Sequence, residues 1–265
     1  MLRRSLVSWL ALLPLICLNL LPFVVALHTI YRAGDRNVAD AVAFWAPMLQ
    51  RTDLGISLLN SLTVAISTAV ASTLIALPAA YALSRFRFRG KRAASEVLLG
   101  SQMLAPIMLV LGLSQMVSGL GLTDTRLALV LLYSAFQVPF AVWMLRGYFD
   151  AIPIEIEEAA RLDGASRLRI IWSVALPLSL PAVAVTATFA FITAFNEFVL
   201  ALTLLRSPAN FTLPLQVNAL TAGRYAVDWP DVMGAVLMAS LPVLFIFCGF
   251  QRYMVRGLRR SLGVT

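Results

Sequence analysis

Two groups of ionisable side chains stand out in a chain otherwise poor in them. The first lies in Ala151–Gly164, AIPIEIEEAARLDG, where Glu155, Glu157 and Glu158 precede Ala159 and Ala160, and Asp163 precedes Gly164. Carboxylates beside small residues suit docking: alanines allow close approach, and a carboxylate pairs with Arg or Lys. The second is Glu197, the only formal charge between Ile170 and Leu205, with Asn196 beside it. An ionisable group inside an apolar run is costly and usually faces a cavity or a partner. It reads as part of a solute or proton path, or as a structural hydrogen-bond acceptor. Nothing in the sequence supports catalysis or a metal centre. Cys17 and Cys248 sit in separate apolar runs, His28 is the single histidine, and no Ser/His/Asp or Cys/His cluster occurs. A G-x-x-x-x-G-K-[ST] phosphate loop is also missing, so this chain cannot supply ATP hydrolysis.

The elements that position these groups follow from composition. Of 265 residues, 60% are hydrophobic and 13% charged, against about 25% charged in a soluble domain. Mean hydropathy is +0.85. This is the composition of an integral membrane protein. The net charge of +8 comes from Lys and Arg placed between apolar runs, unlike the polar basic fold of a nucleic-acid binder. Spanning the hydrocarbon takes roughly 20 apolar residues as a helix. Six runs qualify, at about 6–30, 57–83, 97–117, 127–145, 177–204 and 232–252. The first follows Arg3 and Arg4 like a signal peptide, but its core exceeds the roughly 7–15 residues of a signal h-region and reads as an anchor. One set of loops carries 15 of the 21 Lys and Arg, the other six. The positive-inside rule then puts both termini in the cytoplasm, as an even number of spans requires.

Glu197 consequently falls in the outer part of the fifth span, where a polar contact near an outer gate is the favoured reading. The loop from Thr203 to Asp231 faces outside and carries Pro208, Pro214 and Pro230, with room for a short helix. Pro78, Pro106, Pro139 and Pro181 lie in or near spans, where they can introduce kinks. His28, Trp143, Trp172 and Trp229 fall near predicted interfaces.

The cytoplasmic loop at about 150–176 has its own local signals. Pro153 suits a first helical turn, and the three glutamates sit at the positive end of the dipole. Ile156, Ala159 and Ala160 fall on one small face. Gly164 can adopt the left-handed conformation that ends a helix. Ser166 can cap a second helix running through Ile170 and Ile171 to Leu176, before Pro177. Two short helices outside the bilayer serve either as an amphipathic linker or as a docking element.

Glu158-Ala159-Ala160, then Gly164, then Val174-Ala175-Leu176-Pro177 resembles the EAA loop of ABC-importer permeases, with Val174 where the family usually has Ile. Asp163-Gly164-Ala165 and Pro181 narrow the resemblance to the carbohydrate-importer, MalG-like branch. Tyr81–Gly90, Leu145–Pro153, Asn196-Glu197-Phe198 and Gln251–Gly257 resemble further stretches of that family in order, from about residue 54 to 258. Arg259–Thr265 departs from the tail common in the branch.

The resemblance implies an all-α integral membrane protein of the six-helix MetI-like permease type, with both termini cytoplasmic. It implies a bacterial inner-membrane subunit that forms half of a translocation pore for a sugar or sugar derivative. A second permease, expected to be non-identical, completes the pore, and an extracytoplasmic binding protein delivers the solute. Glu158, Ala159, Ala160, Asp163 and Gly164 take the role of docking a cytoplasmic ATPase dimer. ATP and Mg belong to that dimer, and no cofactor is expected in this chain. The alternatives are the same importer class with a polyol, glycerol phosphate or polyamine cargo, or a proton-coupled carrier using Glu197.

Overall fold

The computed structural model describes residues 2–33, 43–103, 106–222 and 227–261, and among them every regular element is helical. In chain order these are α1 (Leu2–Ala33), α2 (Trp45–Thr52), α3 (Leu54–Arg85), α4 (Lys91–Ser101), α5 (Pro106–Gly119) and α6 (Arg126–Ala151). There follow α7 (Ile154–Leu162), α8 (Arg167–Ile170), a π-helical turn (Ile171–Ala175), α9 (Leu176–Phe195) and α10 (Val199–Leu204). A 3₁₀ turn (Pro208–Asn210), α11 (Leu213–Thr221) and α12 (Trp229–Ser261) complete the series. Five of the described helical stretches are long and apolar enough to cross a membrane, or six if one bent pair counts as a span. The chain divides into two compact units, residues 1–58 with 213–242, and residues 59–212 with 243–265.

In the first unit α1 carries its apolar window over Leu13–Arg32 and exposes Leu18 and Val24, as a lipid-facing helix does. His28 is exposed on the same helix. After α2 the chain turns through Asp53 in the left-handed conformation. Arg51 donates from Nε to Asp231 Oδ2 at 3.0 Å, and Gln216 Nε2 donates to the Thr52 carbonyl at 2.7 Å. Gly234 permits a close approach here: a Cβ at this position would lie 2.5 Å from Met48 Sδ. The region between Thr203 and Asp231 does contain a short helix, α11, besides the 3₁₀ turn.

In the second unit α9 packs along α6, α4 packs on α6, and α10 packs on α5. Helix α3 contributes a stripe of small residues at three- and four-residue spacing. Ser61, Ala65, Thr68, Ser72, Ala76 and Ala80 are all buried. Small side chains let backbones approach where lipid offers no hydrophobic drive between helices. At one end of the stripe Ala80 and Tyr81 join Leu145, Phe149 and Ala175 in a buried cluster.

Three predicted boundaries differ from the observed ones, and proline or a polar side chain accounts for each. The sequence predicts one span over about 97–117, but the structure has two helices, α4 and α5, bent by 96°. Pro106 lacks an N–H and disfavours helical geometry in the residue before it. The predicted stop before Pro177 is also corrected, because the chain runs helically from Arg167 to Phe195. Pro177 cannot donate to a carbonyl one turn back; the preceding turn widens, so Leu176 N–H reaches the Ile171 carbonyl. Finally, the span predicted to 204 breaks at Asn196–Phe198, between α9 and α10. Pro78, Pro139 and Pro181 lie inside continuous helices.

Candidate functional site

Helix α6 ends at Ala151, and Ile152 and Pro153 are extended. Pro153 therefore stands just before α7 rather than inside its first turn. The other end of α7 closes as a Schellman motif. Ala165 N–H donates to the Ala160 carbonyl and Gly164 N–H to the Arg161 carbonyl, both at 3.0 Å, with Gly164 at φ +81°. Ser166 Oγ then accepts from Arg169 N–H at 3.3 Å and starts α8.

What fixes α7 to the span helices is Glu157. The sequence groups it with the exposed acids; the structure corrects this, because Glu157 is 0% exposed. Its carboxylate accepts from Tyr81 OH at 2.8 Å and from Arg85 Nε at 2.7 Å. Arg85 Nη2 also donates to the Ile152 carbonyl at 2.9 Å. The Tyr81 ring meets Phe149 edge-on at 5.6 Å. Around this buried pair, Ser84 Oγ donates to Asp150 Oδ1 at 2.6 Å, and the Arg167 guanidinium lies 5.5 Å from the Phe86 ring centre. One sequence signal was available. Tyr81 and Arg85, four residues apart, share a face at a span end and call for an acid. Which of three neighbouring glutamates answers is decided by the entry angle of α7.

With Glu157 turned inward, Glu158, Ala159, Asp163 and Gly164 are exposed and Ala160 is half-buried. Glu158 has no hydrogen bond or ion pair among the described residues. Ile156 and Leu162 are exposed on the same short helix, Leu162 at 90%. The five residues expected to dock a partner thus stand together on one anchored element. Trp143, Trp172 and Trp229 are all exposed.

Glu197 sits in the break between α9 and α10. It accepts from Tyr133 OH at 2.5 Å, from Leu200 N–H at 2.9 Å and from Ala201 N–H at 3.3 Å. The last two donors belong to the first turn of α10, which otherwise leaves its N–H groups without partners. Asn196 is exposed and its side chain donates to the Ile192 carbonyl at 2.8 Å. A cavity of about 60 Å³ adjoins Glu197 and Tyr133 and is lined also by Thr68, Gln137 and Thr193.

A second polar corner missed by the sequence reading joins the segment before α6 to the loop after α10. Asp124 Oδ1 accepts from the N–H groups of Arg206 and Ser207 at 2.9 and 3.1 Å, and Oδ2 accepts from the Ser207 hydroxyl. Asn210 Nδ2 donates to the Asp124 carbonyl at 2.7 Å. Beside it, buried Asn60 accepts from Arg126 at 2.8 Å and donates to the carbonyls of Ala209 and Phe211. The Arg206 amide, followed by the Ser207 hydroxyl, holds the Asp124 carboxyl down at about 2. This corner and the Glu157 corner lie at opposite ends of α6, a helix of 26 residues.

Residues 57–260 match the family profile described as binding-protein-dependent transport system inner membrane component. The chain is 43% identical over 200 residues to a putative ABC transporter permease of Streptomyces antibioticus, covering 76% of this chain and 87% of the relative. It is 35% identical over 199 residues to the trehalose/maltose transport system permease MalG of Thermococcus litoralis, covering 75% and 72%. A chain of the bacterial ABC transporter that imports the acidic polysaccharide alginate superposes with a TM-score of 0.75 at 25% identity, covering 95% of this chain and 96% of that one. This chain therefore belongs to the family of binding-protein-dependent transport system inner membrane components: it is a multi-pass membrane subunit of an ABC importer, a transport component whose ATPase is a separate subunit.

Proposed function

We propose that this chain forms half of the translocation pore for a sugar or sugar derivative in a bacterial cytoplasmic membrane, with both termini in the cytoplasm. A non-identical permease supplies the other half, an extracytoplasmic binding protein delivers the solute, and ATP with Mg is held by a cytoplasmic ATPase dimer. The saccharides carried by the trehalose/maltose and alginate transporters support the cargo class. The observation that carries the coupling role is the anchored α7, which turns Glu157 inward and leaves Glu158, Ala159, Asp163 and Gly164 exposed.

The physical sequence is short. Glu158 pairs with a cation of the ATPase, and the alanines seat the helix closely. Closure of the ATPase dimer pushes α7 as a lever. Through Glu157 the push reaches Tyr81 and Arg85 on α3, and through Ile152 it reaches the end of α6. The response is a rigid-body change of the span helices. Asn196 and Glu197 contribute a polar contact near the outer gate, with Glu197 holding the helix break in shape.

Co-purification of the tagged chain from its native membrane tests this reading. Wild type should bring down an ATPase and a second permease, and Glu158→Lys should lose the ATPase while keeping the permease. Absence of any ATPase from wild type in mild detergent would overturn the coupling role. Uptake assays with oligosaccharides, polyols, glycerol phosphate and polyamines then test the cargo, and a saccharide is expected.

A further inference from the structure

The segment between α3 and α4 leads into a basic concavity lined by none of the residues assigned above to coupling. We propose that it binds the headgroup of an anionic glycerophospholipid. The space measures about 780 Å³ and is lined by Lys91, Arg92 and Arg146, with Glu96, Phe88 and Leu99 completing it. Arg87 and Arg89 are exposed close by in sequence and have no carboxylate partner among the described residues. Among the described residues Lys91 Nζ reaches only a carbonyl, that of Ser84 at 3.3 Å. Arg92 pairs with Glu96, but both side chains are largely exposed, at 93% and 63%, so the pair is weak and easily exchanged. Arg146 donates to Ser95 Oγ at 2.7 Å, which orients its guanidinium on the lining, and its Nε lies 3.5 Å from Asp150 Oδ2 in a partly exposed pair.

Position and shape select the ligand. The first lining residue, Phe88, comes three residues after the span helix α3 ends at Arg85, so the site lies at the level of lipid headgroups. Helix α4 opens with Lys91 and Arg92, turns apolar at Val97 and Leu99, and meets α5 at 96°. A basic start and an apolar continuation are the pattern of a helix whose first turn sits among the headgroups and whose later turns point toward the hydrocarbon. Phe88 and Leu99 on the lining are exposed, as is Trp143, one turn before Arg146 on α6, and these offer acyl chains an apolar wall. A phosphodiester fits the cations, since Arg and Lys donate to phosphate oxygens, and basic pockets at span ends take anionic headgroups. A free phosphate would use the cations and leave the apolar wall bare.

Native mass spectrometry of the intact transporter, purified with its partners, tests the assignment. The complex is exchanged into vesicles of phosphatidylcholine alone, or of phosphatidylcholine and phosphatidylglycerol in equal amounts, and then released. Wild type should retain phosphatidylglycerol on this subunit in preference to phosphatidylcholine. The double variant Lys91→Gln/Arg92→Gln should lower that retention about tenfold or more, the factor expected for two cations near a charged surface. Glu96→Gln should raise it. Arg206→Gln, which removes a cation elsewhere, should leave it unchanged, and recovery of the ATPase with every variant shows that the fold survives. Equal retention of both lipids, indifference to the double variant, or displacement of lipid by inorganic phosphate would each overturn the proposal.

Discussion

Tyr81 and Glu157 are 76 residues apart and meet at 2.8 Å, hydroxyl to carboxylate, in a fully buried contact. The relationship ties the exposed helix α7 to the last turns of α3 through a single acid. Because the other carboxylate oxygen takes Arg85 at 2.7 Å, the position of α7 is set by charge pairing as well as by packing. A helix held this way can transmit a push.

Removing one partner should therefore cost far more than removing both. Arg85 and Glu157 are 8% and 0% exposed, so Glu157→Ala strands a buried guanidinium and should destabilise by about 3–5 kcal/mol. The double variant Arg85→Met/Glu157→Leu keeps the volume without the charge and should lose less. Thermal unfolding of the purified transporter in detergent reads both. A single variant as stable as the double would remove the ion pair from this account. The double should still uncouple ATP hydrolysis from uptake, because α7 is no longer pinned.

Glu197 separates a structural acceptor from a proton carrier. Its oxygens hold Leu200 N–H, Ala201 N–H and Tyr133 OH, an arrangement that caps the first turn of α10. Glu197→Gln keeps one acceptor oxygen and should leave uptake within a few-fold of wild type. Glu197→Ala removes the cap and should cost about 0.5–2 kcal/mol. The pH profile of uptake decides between the roles: it should be the same for wild type and Glu197→Gln, and a profile that shifts in the Gln variant would restore the proton path.

Those two glutamates also show how far the sequence carries. Glu197 was legible as a site because a lone charge in an apolar run is conspicuous, and Gly164 because a glycine after a short amphipathic stretch ends a helix. Their partners were not legible. Tyr133 lies 64 residues from Glu197, and no periodicity in either segment links them. Glu157 looked like its neighbours, since three acids in four positions differ only in which way the helix turns them. Hydropathy located the spans but not the breaks inside them. The division between α4 and α5 before Pro106 and the π turn before Pro177 each stand at a proline that withholds an N–H, which hydropathy does not register. The small-residue stripe of α3 was hidden for a related reason, since Ser, Thr and Ala hardly disturb an apolar average.

Asp124 supplies a pH-dependent contact. The Arg206 amide and then the Ser207 hydroxyl lower its carboxyl from 3.8 to about 2, with burial opposing. The folded state thus binds the proton less tightly than the unfolded state. Its stabilising contribution is whole above the unfolded value and is lost as pH falls through the folded one. The group is partly solvated, so screening reduces the effect. Asp124→Asn tolerates the left-handed backbone at φ +61°, removes the charge, and keeps one acceptor oxygen for the Arg206 and Ser207 amides while the other becomes an NH2 that can donate to the Ser207 hydroxyl. Amide exchange at Arg206 and Ser207 should be slower in wild type than in the Asn variant at about pH 5, with the difference shrinking as the pH falls and vanishing by about pH 1. Equal protection at both values would mean that the carboxylate does not hold this corner.

Gly164 tests whether the shape of the coupling element matters apart from its chemistry. At φ +81° its backbone lies where L side chains are strained, yet no atom stands within 4 Å of a built Cβ. Substitution there acts through the backbone alone. Gly164→Ala should cost about 1–2 kcal/mol, borne by the turn that closes α7. Gly164→Asn should cost less, since Asn visits the left-handed region more readily. If the angle at which α7 leads into α8 positions Glu158 against the ATPase, ATPase recovery should rank wild type above Asn and Asn above Ala at equal membrane levels. The buried Glu157 pair would keep α7 attached to α3 in all three. A loss of ATPase that ignored this ranking would show that Glu158 and the alanine face act without the turn.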